Sequence, residues 1–194
     1  MTKLRVSWRW FLVVALSVPA ALTVTSAALT DQNPVMPSAA VFAAYVPGLI
    51  MQMITTGLAE ERGVGSEYAM PHMQRRFGPL VATLVVGVLW GSWHLPLFLT
   101  EWGGGPDVDP SRPLAFMGTT LAFSFVMTWV FNRSRESMPL VMLLHTSVNN
   151  YFSLAWSDMF PSAEIETTTY AFLIAATLAA AVILLATRGR LGLR

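Results

Sequence analysis

At 194 residues, with 54% hydrophobic and only 12% charged side chains, the chain is more apolar than soluble domains, which run at about 45–50% apolar and about 25% charged. Its net charge of +1 comes without a basic cluster, so no nucleic-acid partner is implied. The absence of cysteine excludes a thiol nucleophile, a disulfide framework and a cysteine metal site, while leaving the compartment open.

A bilayer core of roughly 30 Å takes about 20 helical residues. Six apolar runs reach about that length, near 10–29, 38–59, 79–100, 113–131, 138–157 and 169–187. The expected fold is therefore all-α and polytopic, with about six transmembrane helices. Connections are short and no repeat is evident, so residues 1–194 read as a single integral membrane domain.

The opening, "MTKLRVSWRWFLVVALSVPAALTVTSAA", has a basic start and an apolar middle, which also fits a secretory signal. A membrane span is preferred because the apolar stretch is long and completes a consistent topology. With the N-terminus in the cytoplasm, six spans place Lys3, Arg5, Arg9, Arg62, Arg75, Arg76, Arg133, Arg135, Arg188, Arg190 and Arg194 inside. Only Arg112 falls outside, in the otherwise acidic loop "EWGGGPDVDPSR". This is the positive-inside pattern, with both termini cytoplasmic; the expected location is a bacterial inner (cytoplasmic) membrane.

The second run leads into "AEER", with Glu60 and Glu61 adjacent and therefore diverging by about 100° on a helix. After it comes the amphipathic link "GVGSEYAMPHMQRRFG", expected along the membrane surface with Tyr68, Met70, Met73 and Phe77 toward lipid. Surface residence is the favoured reading for Glu67 and His72. The third run carries "LWGSWHLPLF", in which His94 follows Trp90 by one turn and Pro96 comes just beyond; Ser92 points elsewhere on the helix. The fifth run holds "LLHTSVNNYF", where His145 and Asn149 are four apart and share one helical face.

Ionisable groups at membrane depth cost at least a few kcal/mol unless they meet a polar cavity or a partner. Each of these groups also has a purely structural reading, as an interfacial acidic pair answered by Arg62, a satisfied core histidine, or interhelical packing glue. As a set they suffice for hydrolysis: a carboxylate takes a proton from water, one histidine orients that water, and a histidine with an asparagine stabilises an oxyanion. Glu60, His94 and His145 also form a possible His₂Glu metal set. No His-Glu-x-x-His, Gly-x-Gly-Asp or Gly-x-Ser-Gly segment is present.

The ordered motifs "EE", "YAMPHMQRRFGPL", "LWGSWHLPLF" and "NRSRESMPLVMLLHTSVNN" resemble the CPBP family of CAAX-protease and bacteriocin-processing intramembrane endopeptidases. It is also called the abortive-infection family and includes the type II CAAX prenyl proteases. The resemblance covers residues 58–150 or so, and implies a CPBP-type helical core and a metal-independent glutamic peptidase without cofactors. It also implies a membrane-associated protein or peptide substrate. By the same resemblance Glu60 activates water, Glu61 is its partner carboxylate, His94 holds the water, and His145 with Asn149 binds the oxyanion. The first motif departs from the family pattern: Gly65 stands where an arginine is expected, Val64 replaces a tryptophan, and Pro71 comes one residue late. A non-catalytic scaffold or bacteriocin immunity protein is the competing reading, and a small transporter is a third.

Hydropathy alone also sets a puzzle of depth. Glu60 falls near the cytoplasmic end of its span, whereas His94 lies about 15 residues into the next, a difference of roughly 20 Å. The two meet only if a boundary shifts, for which Pro47 and Gly57 offer kinks.

Overall fold

The computed structural model describes residues 6–57 and 66–193, with backbone only at 56–57 and 66–69. Among the described residues the secondary structure is entirely helical: α1 Trp8–Thr30, α2 Ala39–Gln52, α3 Ser66–His94, α4 Ser111–Arg133, α5 Met138–Asn150 and α6 Thr167–Thr187. Helix α2 runs on into a π turn, Met53–Gly57; α5 runs through a π turn, Tyr151–Ala155, into a last helical turn, Trp156–Met159.

Among the described residues, four helices are long and apolar enough to cross a membrane: Trp8–Thr30, Met70–Leu99, Ser111–Arg133 and Thr167–Thr187. The run expected at 38–59 is a shorter apolar helix, Ala39–Thr55. The run at 138–157 is helical, but its regular i→i+4 ladder is interrupted by the π turn at Tyr151–Ala155.

Local chemistry explains the element ends. Ser7 and Ser38 cap α1 and α2, their hydroxyls accepting from the backbone N–H groups of Arg9 and Val41. Helix α3 bends at Gly78, whose φ of 77° lies in the region open to glycine, ahead of Pro79, which disfavours helical geometry in the residue before it. Pro96 acts likewise at the other end: α3 stops at His94 and tightens into a 3₁₀ turn over Leu95–Leu99. Asp109 accepts from the N–H of Ser111 at 2.7 Å and starts α4; its hydrogen bonds with Ser111 hold its carboxyl below the usual range.

The segment before Gly78 corrects one expectation. Phe77 is exposed as expected, but Met70 is only 5% exposed and packs in the core, with Met73 partly buried against it. Gln74 explains the inward tilt. It exchanges two hydrogen bonds with Asn132 of α4, at 3.1 and 2.9 Å, and Asn132 also donates to the carbonyl of Leu191. Satisfying those amides draws the methionine face toward the protein and leaves His72 exposed.

Helix α5 is the centre of the bundle. Leu140, Val141 and every residue from Leu143 through Val148 are buried, as expected of a helix with partners on several sides. It packs on α1, α2 and α4, while α4 packs on α3 and α6, and α1 also meets α6. Lipid tails are as apolar as leucine, so such helices associate through close backbone approach and polar contacts rather than by escaping water. Both occur here. Tyr151 and Thr23 share a hydrogen bond at 2.9 Å, and the indole of Trp156 donates to Ser26 at 2.9 Å, joining the end of the α5 segment to α1. Between α3 and α4, a Cβ added at Gly87 would meet Ser124 at 2.9 Å, and one at Gly91 would meet Thr120 at 2.6 Å.

Candidate active site

The close α3–α4 contact fixes the position of Trp90 and His94. The Nδ1 of His94 is 2.9 Å from the carbonyl oxygen of Trp90. The two rings meet edge to face at 5.8 Å, and Trp90 meets His145 of α5 in the same way at 5.2 Å. The indole therefore lies against both imidazoles. Phe116 of α4 backs His94 from another side at 5.4 Å.

These rings border a cavity of about 590 Å³. His94, His145 and Asn149 all line it, with Trp90, Phe116 and Phe123 as apolar wall. His145 is only 5% exposed. Thr119 and Thr120 also line the wall, but their hydroxyls bond carbonyls of their own helix, those of Ala115 and Met117. The cavity extends past Phe98, Trp102 and Gly103 to Arg112 of α4 and Thr168 and Thr169 of α6. That end of the bundle is opposite the one carrying Arg133 and Arg188.

The structure thus brings together three of the residues singled out in the sequence, from two separate helices. Glu60 and Glu61 lie outside the described residues, as do Arg62, Val64 and Gly65, and so does the side chain of Glu67. The possible metal set includes Glu60 and shares that position. The puzzle of depth changes form, however, because α2 reaches the cavity before the glutamates. Gln52, its last residue, lines the cavity together with His94.

Gln52 is a residue that the motif reading missed. Its Oε1 is buried and has no hydrogen-bond partner among the described residues, so an amide acceptor stands at the cavity wall. A polar residue near the end of an apolar run was the available signal. The two asparagines are also distinguished: Asn149 faces the cavity, whereas Asn150, fully buried, donates to the carbonyl of Tyr45 in α2 at 3.0 Å.

Comparison with known proteins bears on this arrangement. Residues 40–151 match the family model described as type II CAAX prenyl endopeptidase Rce1-like. The chain is 25% identical over 108 residues to CAAX prenyl protease 2 of Methanococcus maripaludis, covering 54% of this chain and 39% of that relative. It therefore spans well under half the length of that curated relative. The matched region begins at α2 and ends just after Asn150, so it contains every helix that contributes His94, His145 and Asn149. With its apolar helices, the chain is an integral membrane protein that belongs to the type II CAAX prenyl endopeptidase Rce1-like family.

Proposed function

We propose that the protein is an intramembrane endopeptidase that hydrolyses a peptide bond of a membrane-associated protein or peptide. One observation carries this reading: His94, His145 and Asn149 converge on one cavity, with Trp90 against both imidazoles, in a chain of this family.

In the proposed reaction Glu60 takes a proton from water, with Glu61 as its partner carboxylate. The oxygen attacks the carbonyl carbon while His94 holds the water in line. His145 and Asn149 donate hydrogen bonds to the oxyanion that forms, a contribution that grows as charge develops. Collapse of the tetrahedral centre breaks the C–N bond, and the proton passes from the glutamic acid to the departing amine. No metal or cofactor is assigned a step. The arginine distribution supports an orientation with both termini in the cytoplasm, in what we read as a bacterial cytoplasmic membrane. Residues 58–150 or so form the catalytic core of a single domain.

The test is cleavage of membrane-embedded and lipidated peptides by the purified full chain in lipid nanodiscs, comparing wild type with Glu60→Ala and His94→Ala, with and without a chelator. Cleavage abolished by both substitutions and spared by the chelator supports the reading. Loss with chelator alone replaces it with a metal site. A folded wild type that cleaves nothing favours the scaffold reading, which the altered segment after Glu61 motivates.

A further inference from the structure

No stretch of this sequence is itself a basic cluster, yet the fold makes one from three segments. Gln74 of α3, Asn132 of α4 and the carbonyl of Leu191, beyond α6, are joined by hydrogen bonds of 3.1, 2.9 and 2.9 Å that all meet at the Asn132 amide. Gln74 is only 4% exposed and Leu191 is fully buried. Each of these three residues has an arginine beside it in the chain, Arg75, Arg133 and Arg190, and all three arginines are exposed. The α-carbon of each arginine is therefore about 3.8 Å from that of a residue in the node.

Charge sorting accounts for arginines at this end of the bundle. It does not account for their convergence, or for the folding of the segment that carries Arg190. Residues 188–193 form consecutive turns, with Arg188 and Leu191 left-handed at φ of 50° and 47°, a conformation uncommon for residues other than glycine. The N–H of Leu191 donates to the hydroxyl of Thr187 at 3.1 Å, which together with the buried leucine side chain holds the turns in place. A Cβ on Gly192, where φ is 72°, would meet Cδ of Arg133 at 2.7 Å, so the segment also lies against the stem of that arginine. Among the described residues none of the three guanidinium groups is paired with a carboxylate, and Glu136 is the one acidic side chain at this end.

The node joins the same ends of three helices that are each long and apolar enough to cross a membrane. Its arginines therefore stand at the bilayer surface, where long cationic side chains reach the headgroups. Phe77 is 50% exposed and carries the guanidinium of Arg76 at 5.2 Å from its ring centre, an apolar and cationic pairing suited to the same boundary. Guanidinium forks without a carboxylate partner match the oxygens of a phosphate group. We propose that Arg75, Arg133 and Arg190 together bind the headgroup phosphate of an anionic glycerophospholipid from the leaflet at this end. The Gln74–Asn132–Leu191 node positions them, and the bound lipid ties α3, α4 and the segment after α6 to one another. This site stands apart from the endopeptidase reading and shares no residue with it.

The test is native mass spectrometry of the purified full chain, released from detergent micelles that carry phosphatidylglycerol or phosphatidylcholine, with retained lipid as the readout. One basic residue near an anionic membrane surface is worth about fivefold in binding, so three predict about a hundredfold preference for phosphatidylglycerol. Arg75→Gln, Arg133→Gln and Arg190→Gln each lower that preference by about fivefold. Arg135→Gln removes the same charge from a position that neighbours no residue of the node, and lowers it by about twofold or less. Asn132→Leu keeps every charge but releases the node, and lowers the preference by about tenfold; unchanged helicity and unchanged retention of phosphatidylcholine show that this variant is folded. Should it not fold, the exposed arginine variants decide the matter. Equal retention of the two lipids by wild type overturns the proposal, as does a loss from Arg135→Gln as large as from the other three, which marks a diffuse surface field. A folded Asn132→Leu that keeps the full preference overturns it too, and so does inorganic phosphate retained as well in phosphatidylcholine micelles as the anionic lipid.

Discussion

The carbonyl oxygen of Trp90 lies 2.9 Å from the Nδ1 of His94. A carbonyl can only accept, so this contact requires the proton on Nδ1, and in the neutral ring the lone pair is then on Nε2. That tautomer suits a group that accepts a hydrogen bond from water and turns its oxygen toward a substrate. Replacing His94 by alanine is expected to lower kcat by about 10²–10⁴-fold, the range for a positioned acid–base group. Circular dichroism in the same lipid nanodiscs should show unchanged helicity, and a variant with wild-type turnover would remove His94 from the mechanism.

The neighbouring asparagines should separate activity from stability. Asn149→Ala is expected to reduce turnover with little change in thermal unfolding, because Asn149 faces the cavity. Asn150→Ala removes the hydrogen bond to Tyr45 and leaves that carbonyl without its side-chain donor. The expected cost is about 0.5–2 kcal/mol of stability. Thermal unfolding and cleavage rates measured on both variants check the division; equal effects on both properties would contradict it.

Gly91 should tolerate no branched side chain. Its added Cβ would lie 2.6 Å from Thr120 and 2.7 Å from the sulfur of Met117, so Gly91→Val forces α3 and α4 apart. A loss of about 1–3 kcal/mol is expected from the overpacking. Because His94 follows within one turn, activity should fall further than stability alone explains, as read by turnover well below the unfolding temperature. The companion Gly91→Ala, with Thr120→Ala to make room and the flexible end of Met117 shifting aside, should recover most of both.

Gln74→Leu tests the anchoring of the segment before Gly78. Asn132 would lose the bonds it exchanges with Gln74 but keep the carbonyl of Leu191. A destabilisation of about 1–2 kcal/mol is expected, with faster hydrogen exchange in the 70–77 segment. Unchanged exchange there would show that methionine packing alone holds it.

Gln52→Leu should remove an amide acceptor from the cavity wall. Since Oε1 has no partner among the described residues, stability is expected to stay within about 0.5 kcal/mol or rise, while KM for a peptide substrate increases if the amide meets the peptide backbone. Steady-state kinetics together with thermal unfolding separate these effects; a large stability loss would show that the amide is structural.

The helical class, the apolar runs and the shared face of His145 and Asn149 were legible along the chain. Composition and hydropathy are sums over neighbouring residues, and the helix period alone puts residues four apart on one face. Motif order likewise supplied the family resemblance. Which polar residues meet was not legible there and came from the packing of the helices. That packing brought Trp90 against His145 across two helices, tied Asn150 rather than Asn149 to α2, drew Met70 inward, and put Gln52 and Arg112 on the cavity. These contacts depend on how closely helices approach and on where Gly78, Pro96 and the π turns redirect them. Such approach is set by small residues and interhelical hydrogen bonds between segments far apart in the chain, which a window along one helix does not contain.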